Sequence, residues 1–88
     1  MYYFYLLQST ERPNEIYTGS TGNLRMRLKE HNDGSVTSTR RYMPWRLVYY
    51  EAYLAEEDAR MREQKSKKHG KGNAELKKRI QKSLLFGV

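Results

Sequence analysis

Residues 2–7, Tyr-Tyr-Phe-Tyr-Leu-Leu, are aromatic and aliphatic without a polar break. In an extended chain such a run sends large apolar side chains to both sides, so it suits a strand buried on both faces. A strand of that kind needs partners beside it and cover above and below. The chain has 88 residues in which to supply them and no cysteine, so neither a disulfide framework nor a thiolate zinc site can brace the fold and packing must hold it. One compact domain over residues 1–88, with one site, is the expectation. No apolar run approaches the roughly 20 residues of a membrane span, and Met1 to Leu7 is too short and too aromatic for a signal peptide. The sequence therefore reads as soluble and cytoplasmic, with no membrane contact.

Glu11-Arg12-Pro13-Asn14 supplies turn chemistry, and Ile16 to Ser20 reads as a second strand joined to the first in a hairpin. Asn23 is placed to cap a helix over Leu24 to Asn32, closed by Asp33-Gly34. Residues 35–44, polar and basic and ending in Pro44, read as a loop. Trp45 to Leu54 is the longest strand, and strict alternation puts Trp45, Leu47, Tyr49 and Tyr53 on one side, Val48, Tyr50, Ala52 and Leu54 on the other. Acids at Glu56-Glu57-Asp58 and bases at Lys65, Lys67, Lys68 and His69 mark the ends of a further helix, stopped by Gly70. A last helix starts at Asn73 with Leu76, Ile80 and Leu84 as its apolar stripe. The order β-β-α-β-α-α predicts an α/β fold of the α+β kind, a three-stranded, largely antiparallel sheet flanked by helices, with a basic helical segment at about 60–84.

The net charge of +7 is concentrated there. Residues 60–82 hold ten Lys and Arg against Glu63 and Glu75, a balance of +8, whereas the rest holds seven against eight, a balance of −1. Such asymmetry suits a polyanion, because each cation that neutralises a phosphate releases condensed counterions; a solvated tail is the bland alternative.

On a helical wheel Leu24, Leu28, His31 and Arg27 share one arc of about 100°. No other arc of this helix is apolar, so Arg27 and His31 stand where a purely structural helix carries aliphatic residues. A guanidinium there is explained by an anionic ligand, by a partner carboxylate, or by its stem running along Leu24 to water. His31 reads equally as a hydrogen-bonded core histidine. The next helix gathers Ala59, Glu63 and Ser66 on a narrow inward arc. A carboxylate among small residues can seat a hydrated Mg²⁺, or it can pair with Arg27 or a nearby lysine. The other carboxylates are scattered, so one metal is expected rather than two.

Of eight tyrosines, most read as packing. Tyr5 and Tyr17 differ because the hairpin makes them neighbours near the helix of Arg27. A phenol at its ordinary pKa of about 10 is roughly 0.1% ionised at neutral pH, so either acts as a base only where nearby cations depress that value.

In this order the motifs resemble a GIY-YIG nuclease over nearly the whole chain. Phe4-Tyr5-Leu6-Leu7 stands at the first signature tyrosine and Tyr17-Thr18-Gly19-Ser20 at the second. Asn23-Leu24, Arg27-Leu28 and His31 match the helix of the family's essential arginine. Pro44 to Glu51 and Ala59 to Glu63 resemble the third strand and metal-glutamate helix of small single-domain members. Tyr3 replaces the glycine of the first signature and Thr18 the usual aliphatic residue of the second. The resemblance implies one-metal phosphodiester hydrolysis, with Glu63 holding Mg²⁺ or Mn²⁺ and Arg27 stabilising charge on phosphorus. Tyr5 or Tyr17, assisted by His31, would orient or deprotonate the attacking water. Asn73 is the nearest match to the family's late asparagine, and equally a helix cap. Arg40 and Arg41, with Lys65, Lys67, Lys68 and Lys71 in the basic block, are expected to contact the nucleic-acid backbone, and nothing in the sequence reads bases. The functional expectation is a metal-dependent DNA endonuclease of the repair or recombination type. Branched, flapped or single-stranded DNA is the expected substrate. The alternative is a binding module on the same fold that cleaves nothing.

Overall fold

A computed structural model describes residues 1–68 and 73–85. Strand β1 (Tyr2–Ser9) lies at the centre of a three-stranded antiparallel sheet, with β2 (Ile16–Thr21) on one side and β3 (Trp45–Tyr53) on the other. Helix α1 (Leu24–Asn32) follows β2, a short 3-10 turn (Arg40–Tyr42) precedes β3, and α2 (Glu56–Lys68) and α3 (Ala74–Arg79) follow it. This is the α+β architecture and element order that the sequence implies.

The doubly buried first strand is as expected. Phe4, Tyr5, Leu6, Leu7, Gln8 and Ser9 are all buried. Phe4 and Leu6 meet Leu76, with Ile16, Val48, Tyr49, Tyr53 and Ile80 around them. Tyr5 and Leu7 meet Trp45 on the opposite face, under Leu24 and Leu28 of α1, with Tyr17, Tyr42 and Leu47. Gln8 is buried with its amide saturated: Nε2 donates to the carbonyls of Pro13 and Leu85, and Oε1 accepts from Leu85 N and Arg46. That exchange ties residue 85 back to the central strand.

Helix α1 has the bounds read from sequence because its signals are local. Asn23 accepts from the amide of Met26 at 3.0 Å. Gly34 takes φ +83°, a left-handed conformation open to glycine without strain. Asn32 then grips the start of β3, donating to Trp45 O at 2.9 Å and accepting from Trp45 N at 2.5 Å.

Two readings need correction. The register against β1 passes from Leu6–Tyr49 to Leu7–Leu47, so Val48 is an extra residue and strict alternation fails there. Trp45 and Leu47 therefore belong to the α1 face, and Tyr49 and Tyr53 to the other. Nor do Leu76, Ile80 and Leu84 form the stripe of one helix. Helix α3 ends at Arg79 and a 3-10 turn (Gln81–Ser83) follows, although Leu76 and Leu84 are still buried. The expected stop at Gly70 lies outside the described residues. No helix among the described residues is long and apolar enough to cross a membrane.

Candidate active site

Gly19 explains how the site can exist. It pairs with Tyr5 across the hairpin, and a Cβ on it would lie 2.5 Å from Tyr5 Oη and 2.7 Å from Cζ. Without that side chain, the Tyr5 ring lies flat over β2 and carries its hydroxyl toward α1. There Tyr5 Oη stands 2.8 Å from His31 Nε2, with both residues buried. The second ring nitrogen, Nδ1, is 2.7 Å from Thr39 Oγ1, supplied by the loop between α1 and β3. Tyr17 packs against this pair, its ring centroid 5.0 Å from that of His31 and 6.4 Å from that of Tyr5. Of the residues expected at the site, the fold places Tyr5, Tyr17 and His31 together, with Arg27 at the rim.

Arg27 is only partly on the inward arc. Its side chain keeps 35% of its exposure and pairs with Glu30 at 3.1 Å on its own helix, so the partner carboxylate is local rather than Glu63. Its charge is near enough to act on the Tyr5 hydroxyl. Burial alone would lower the Arg27 pKa, but Tyr5 and Glu30 raise it. The expectation that cations depress a tyrosine fails at Tyr5. Burial pushes its pKa up to about 12, and the opposing effect of Arg27 is too weak to reverse this. His31 moves the other way, lowered to about 4 by burial and by the Arg27 charge, so it is neutral at pH 7.

Glu63 arrives from the opposite face. Ala59 and Ser66 are buried beside it, as the wheel predicts, but the carboxylate is engaged rather than surrounded by room. Oε1 accepts from Ser20 Oγ at 2.6 Å and Oε2 from Lys67 Nζ at 2.7 Å. Lys67 also stands 5.4 Å over the Tyr17 ring, linking Glu63 to the tyrosines around the edge of β2. The Glu63 charge is near enough to raise the Tyr5 pKa.

The remaining expectations divide. Arg40 and Arg41 are exposed on the 3-10 turn, with Arg41 over the Tyr42 ring at 5.5 Å. Lys65 and Lys68 are exposed on α2, Lys67 is committed to Glu63, and Lys71 lies outside the described residues. Asn73 makes no side-chain cap; its Oδ1 accepts from Ser66 Oγ, which fastens α3 to α2. Sequence reading missed Thr39 and Ser20. Nothing distinguishes Thr39 within Ser-Val-Thr-Ser-Thr, although a buried histidine implies a second partner for its ring. Ser20 was signalled by strand alternation, which sets it opposite Gly19 and toward α2. A hollow of about 490 Å³ between Tyr3, Tyr50, Leu47 and Leu24 is not lined by any of Tyr5, Tyr17, Arg27, His31 or Glu63.

The β-β-α-β-α-α frame is that of a GIY-YIG-type domain. The chain belongs to the GIY-YIG family, whose catalytic-domain model matches residues 1–82. It is 37% identical over 75 residues to a UPF0213 protein of Bacillus licheniformis, covering 84% of this chain and 75% of that protein. A UPF0213 protein of Clostridium perfringens is 39% identical over 69 residues, covering 77% and 72% respectively. A Giardia intestinalis protein named as a structure-specific endonuclease subunit SLX1 homolog is 37% identical over 51 residues, 54% of this chain but 14% of that protein. No solved structure gives a significant match.

Proposed function

We propose that the chain is a metal-dependent endonuclease that hydrolyses DNA phosphodiester bonds, with branched or single-stranded structures as preferred substrates. The observation that carries this reading is the buried Tyr5–His31 bond with a partly exposed arginine at its rim. A hydroxyl whose proton has a neutral acceptor, next to a cation with spare N–H groups, suits attack of water on a phosphate. The name of the Giardia relative supports the preference for DNA structure over sequence.

The donor set fits one hydrated Mg²⁺ or Mn²⁺. Glu63 is a single, mostly buried carboxylate that already holds one cation, the Lys67 ammonium. Among the described residues no cluster of three or more His, Cys, Asp or Glu side chains competes with it. Mg²⁺ commonly takes one or two protein carboxylates and keeps its remaining waters. Glu63 would hold the ion once Lys67 turns outward. When bound, the ion supplies charge neutralisation at the scissile phosphate and the leaving oxygen.

The chain's own residues do the rest. Arg27 retains donors beyond its Glu30 contact and binds the phosphate, where it stabilises charge developing on the equatorial oxygens. Tyr5 takes a proton from the attacking water while giving its own to His31 Nε2. Burial raises the Tyr5 pKa and lowers that of His31, so a resting phenolate–imidazolium pair is unfavourable. The two transfers therefore accompany attack rather than precede it. Tyr17, its ring against His31, orients the water. Arg40, Arg41, Lys65 and Lys68 hold the backbone.

The test is cleavage of a panel of branched, nicked, single-stranded and duplex DNA, with RNA controls, across several divalent ions. Mg²⁺- or Mn²⁺-dependent nicking that disappears in Arg27→Ala and in Glu63→Ala, with both variants folded by circular dichroism, is the expected result. Salt-sensitive binding with no turnover in the unmodified chain would overturn the reading in favour of a binding module.

A further inference from the structure

Thr39 is buried and points a hydroxyl at the face of His31 turned away from the tyrosine. Its backbone is pinned: the Trp45 indole donates to its carbonyl at 2.9 Å, and its amide donates to Val36 O at 3.1 Å. We infer that Thr39 is a positioning residue that holds His31 in the tautomer protonated at Nδ1, leaving Nε2 as the proton acceptor facing Tyr5. The inference rests on the proposed role of Tyr5 and His31 in water attack.

The direction of each hydrogen bond follows from the surroundings of Thr39. Val36 O lies 3.4 Å from Thr39 Oγ1 and can only accept, so the hydroxyl proton goes to Val36 and the oxygen is left to accept from Nδ1. With Nδ1 protonated, every donor in the chain of groups has an acceptor: Tyr5 to Nε2, Nδ1 to Thr39 and Thr39 to Val36. With Nε2 protonated instead, Thr39 must turn its proton to Nδ1 and give up Val36, and Tyr5 can only accept.

The proton balance depends on this orientation. As water attacks phosphorus, its proton passes to the Tyr5 oxygen and the Tyr5 proton passes to Nε2. The product is an imidazolium with one N–H on Tyr5 and the other on Thr39. In the opposite tautomer Nε2 already carries hydrogen, and the Tyr5 proton has nowhere to go. Thr39 also adjoins Arg40 and Arg41 on one short turn, so the segment proposed to grip the DNA backbone is the one that orients the base.

Nitrogen-15 NMR of the histidine ring reads the tautomer directly, without DNA or metal. In a His69→Gln background only His31 contributes. The unmodified Thr39 protein should show a protonated Nδ1 and a bare Nε2 at pH 7. Thr39→Val, of matching shape but without the hydroxyl, should move the proton to Nε2 and lower kcat on the order of 100-fold or more with KM for DNA little changed. Thr39→Ser should restore both the tautomer and the rate. A proton on Nε2 in the Thr39 protein overturns the inference, whether or not Thr39→Val folds. So does Thr39→Ser behaving like Thr39→Val in both measurements. If the tautomer pattern appears as expected but the Thr39 protein cleaves no DNA with any ion, the nuclease reading fails and the assignment of Thr39 to the His31 tautomer stands.

Discussion

On the α2 face of the sheet, Glu51 accepts from the hydroxyls of Tyr49 and Tyr53 and from Arg62 Nε at 3.0 Å, while Arg62 also stacks 4.5 Å over the Phe4 ring. On the α1 face, Tyr5 and His31 bond to each other and Arg27 has one carboxylate, Glu30, on its own exposed helix surface. Both regions combine tyrosine, arginine and an ionisable acceptor. At Glu51 both carboxylate oxygens are engaged by two phenols and by Arg62 Nε, and the arginine is spent on that carboxylate and on the Phe4 ring. Around His31 the bonded pair is closed inside, but the arginine beside it faces outward with donors to spare. The difference lies in the two arginines: Arg62 is 23% exposed and paired with Glu51 of β3, whereas Arg27 is 35% exposed and paired only on its own helix.

The largest expected contrast is between the two arginines. Arg27→Ala should cost cleavage on the order of a thousandfold while changing stability by less than about 1 kcal/mol, as exposed ion pairs do. Arg62→Ala should do the reverse, lowering stability by about 2 kcal/mol through the stranded Glu51 carboxylate and the lost ring contact, with the rate per folded molecule nearly kept. Nicking assays beside urea unfolding measure both, and equal behaviour of the two variants would remove the distinction. Gly19→Ala comes next. The new methyl group must displace the Tyr5 ring, so a loss of 1–3 kcal/mol or so is expected together with the Tyr5–His31 bond. Unfolding curves and the His31 ring signals report it.

Acid should separate the regions. His31 stays neutral in the folded chain down to about pH 4, whereas an unfolded histidine protonates near 6.5. Its contribution is complete above pH 6.5 or so and is lost as pH falls toward 4. Burial alone would raise the Glu51 pKa, but the bonds from Tyr53, Tyr49 and Arg62 hold it below the ordinary carboxylate value. That contribution survives the His31 window and is lost only at lower pH. Unfolding free energies at intervals from pH 7 to 3 should decline in two stages, the first absent in His31→Gln. The smallest effect belongs to Lys67→Ala, which frees Glu63 at a cost of about 0.5 kcal/mol and should lower the Mg²⁺ concentration for half-maximal cleavage several-fold.

Short-range signals decided a good deal without any fold. The cap at Asn23 and the turn at Gly34 set both ends of α1. The helical wheel put His31 inside and Glu63 next to Ala59 and Ser66. Those features depend on residues a few positions apart, so chemistry and spacing suffice. Other features rest on neighbours distant in the chain. The extra residue at Val48 follows from pairing β3 with β1. The Tyr5 pKa rises because packing removes water faster than Arg27 compensates, a balance no single segment contains. Thr39 becomes a partner of His31 only when Trp45 pulls the loop over α1. The sequence by itself determined which reactive groups the chain carries and on which elements they sit. Tertiary structure alone decided their proton states, their partners and which arginine remains free, because desolvation and hydrogen-bond saturation arise only when separate segments close on one another.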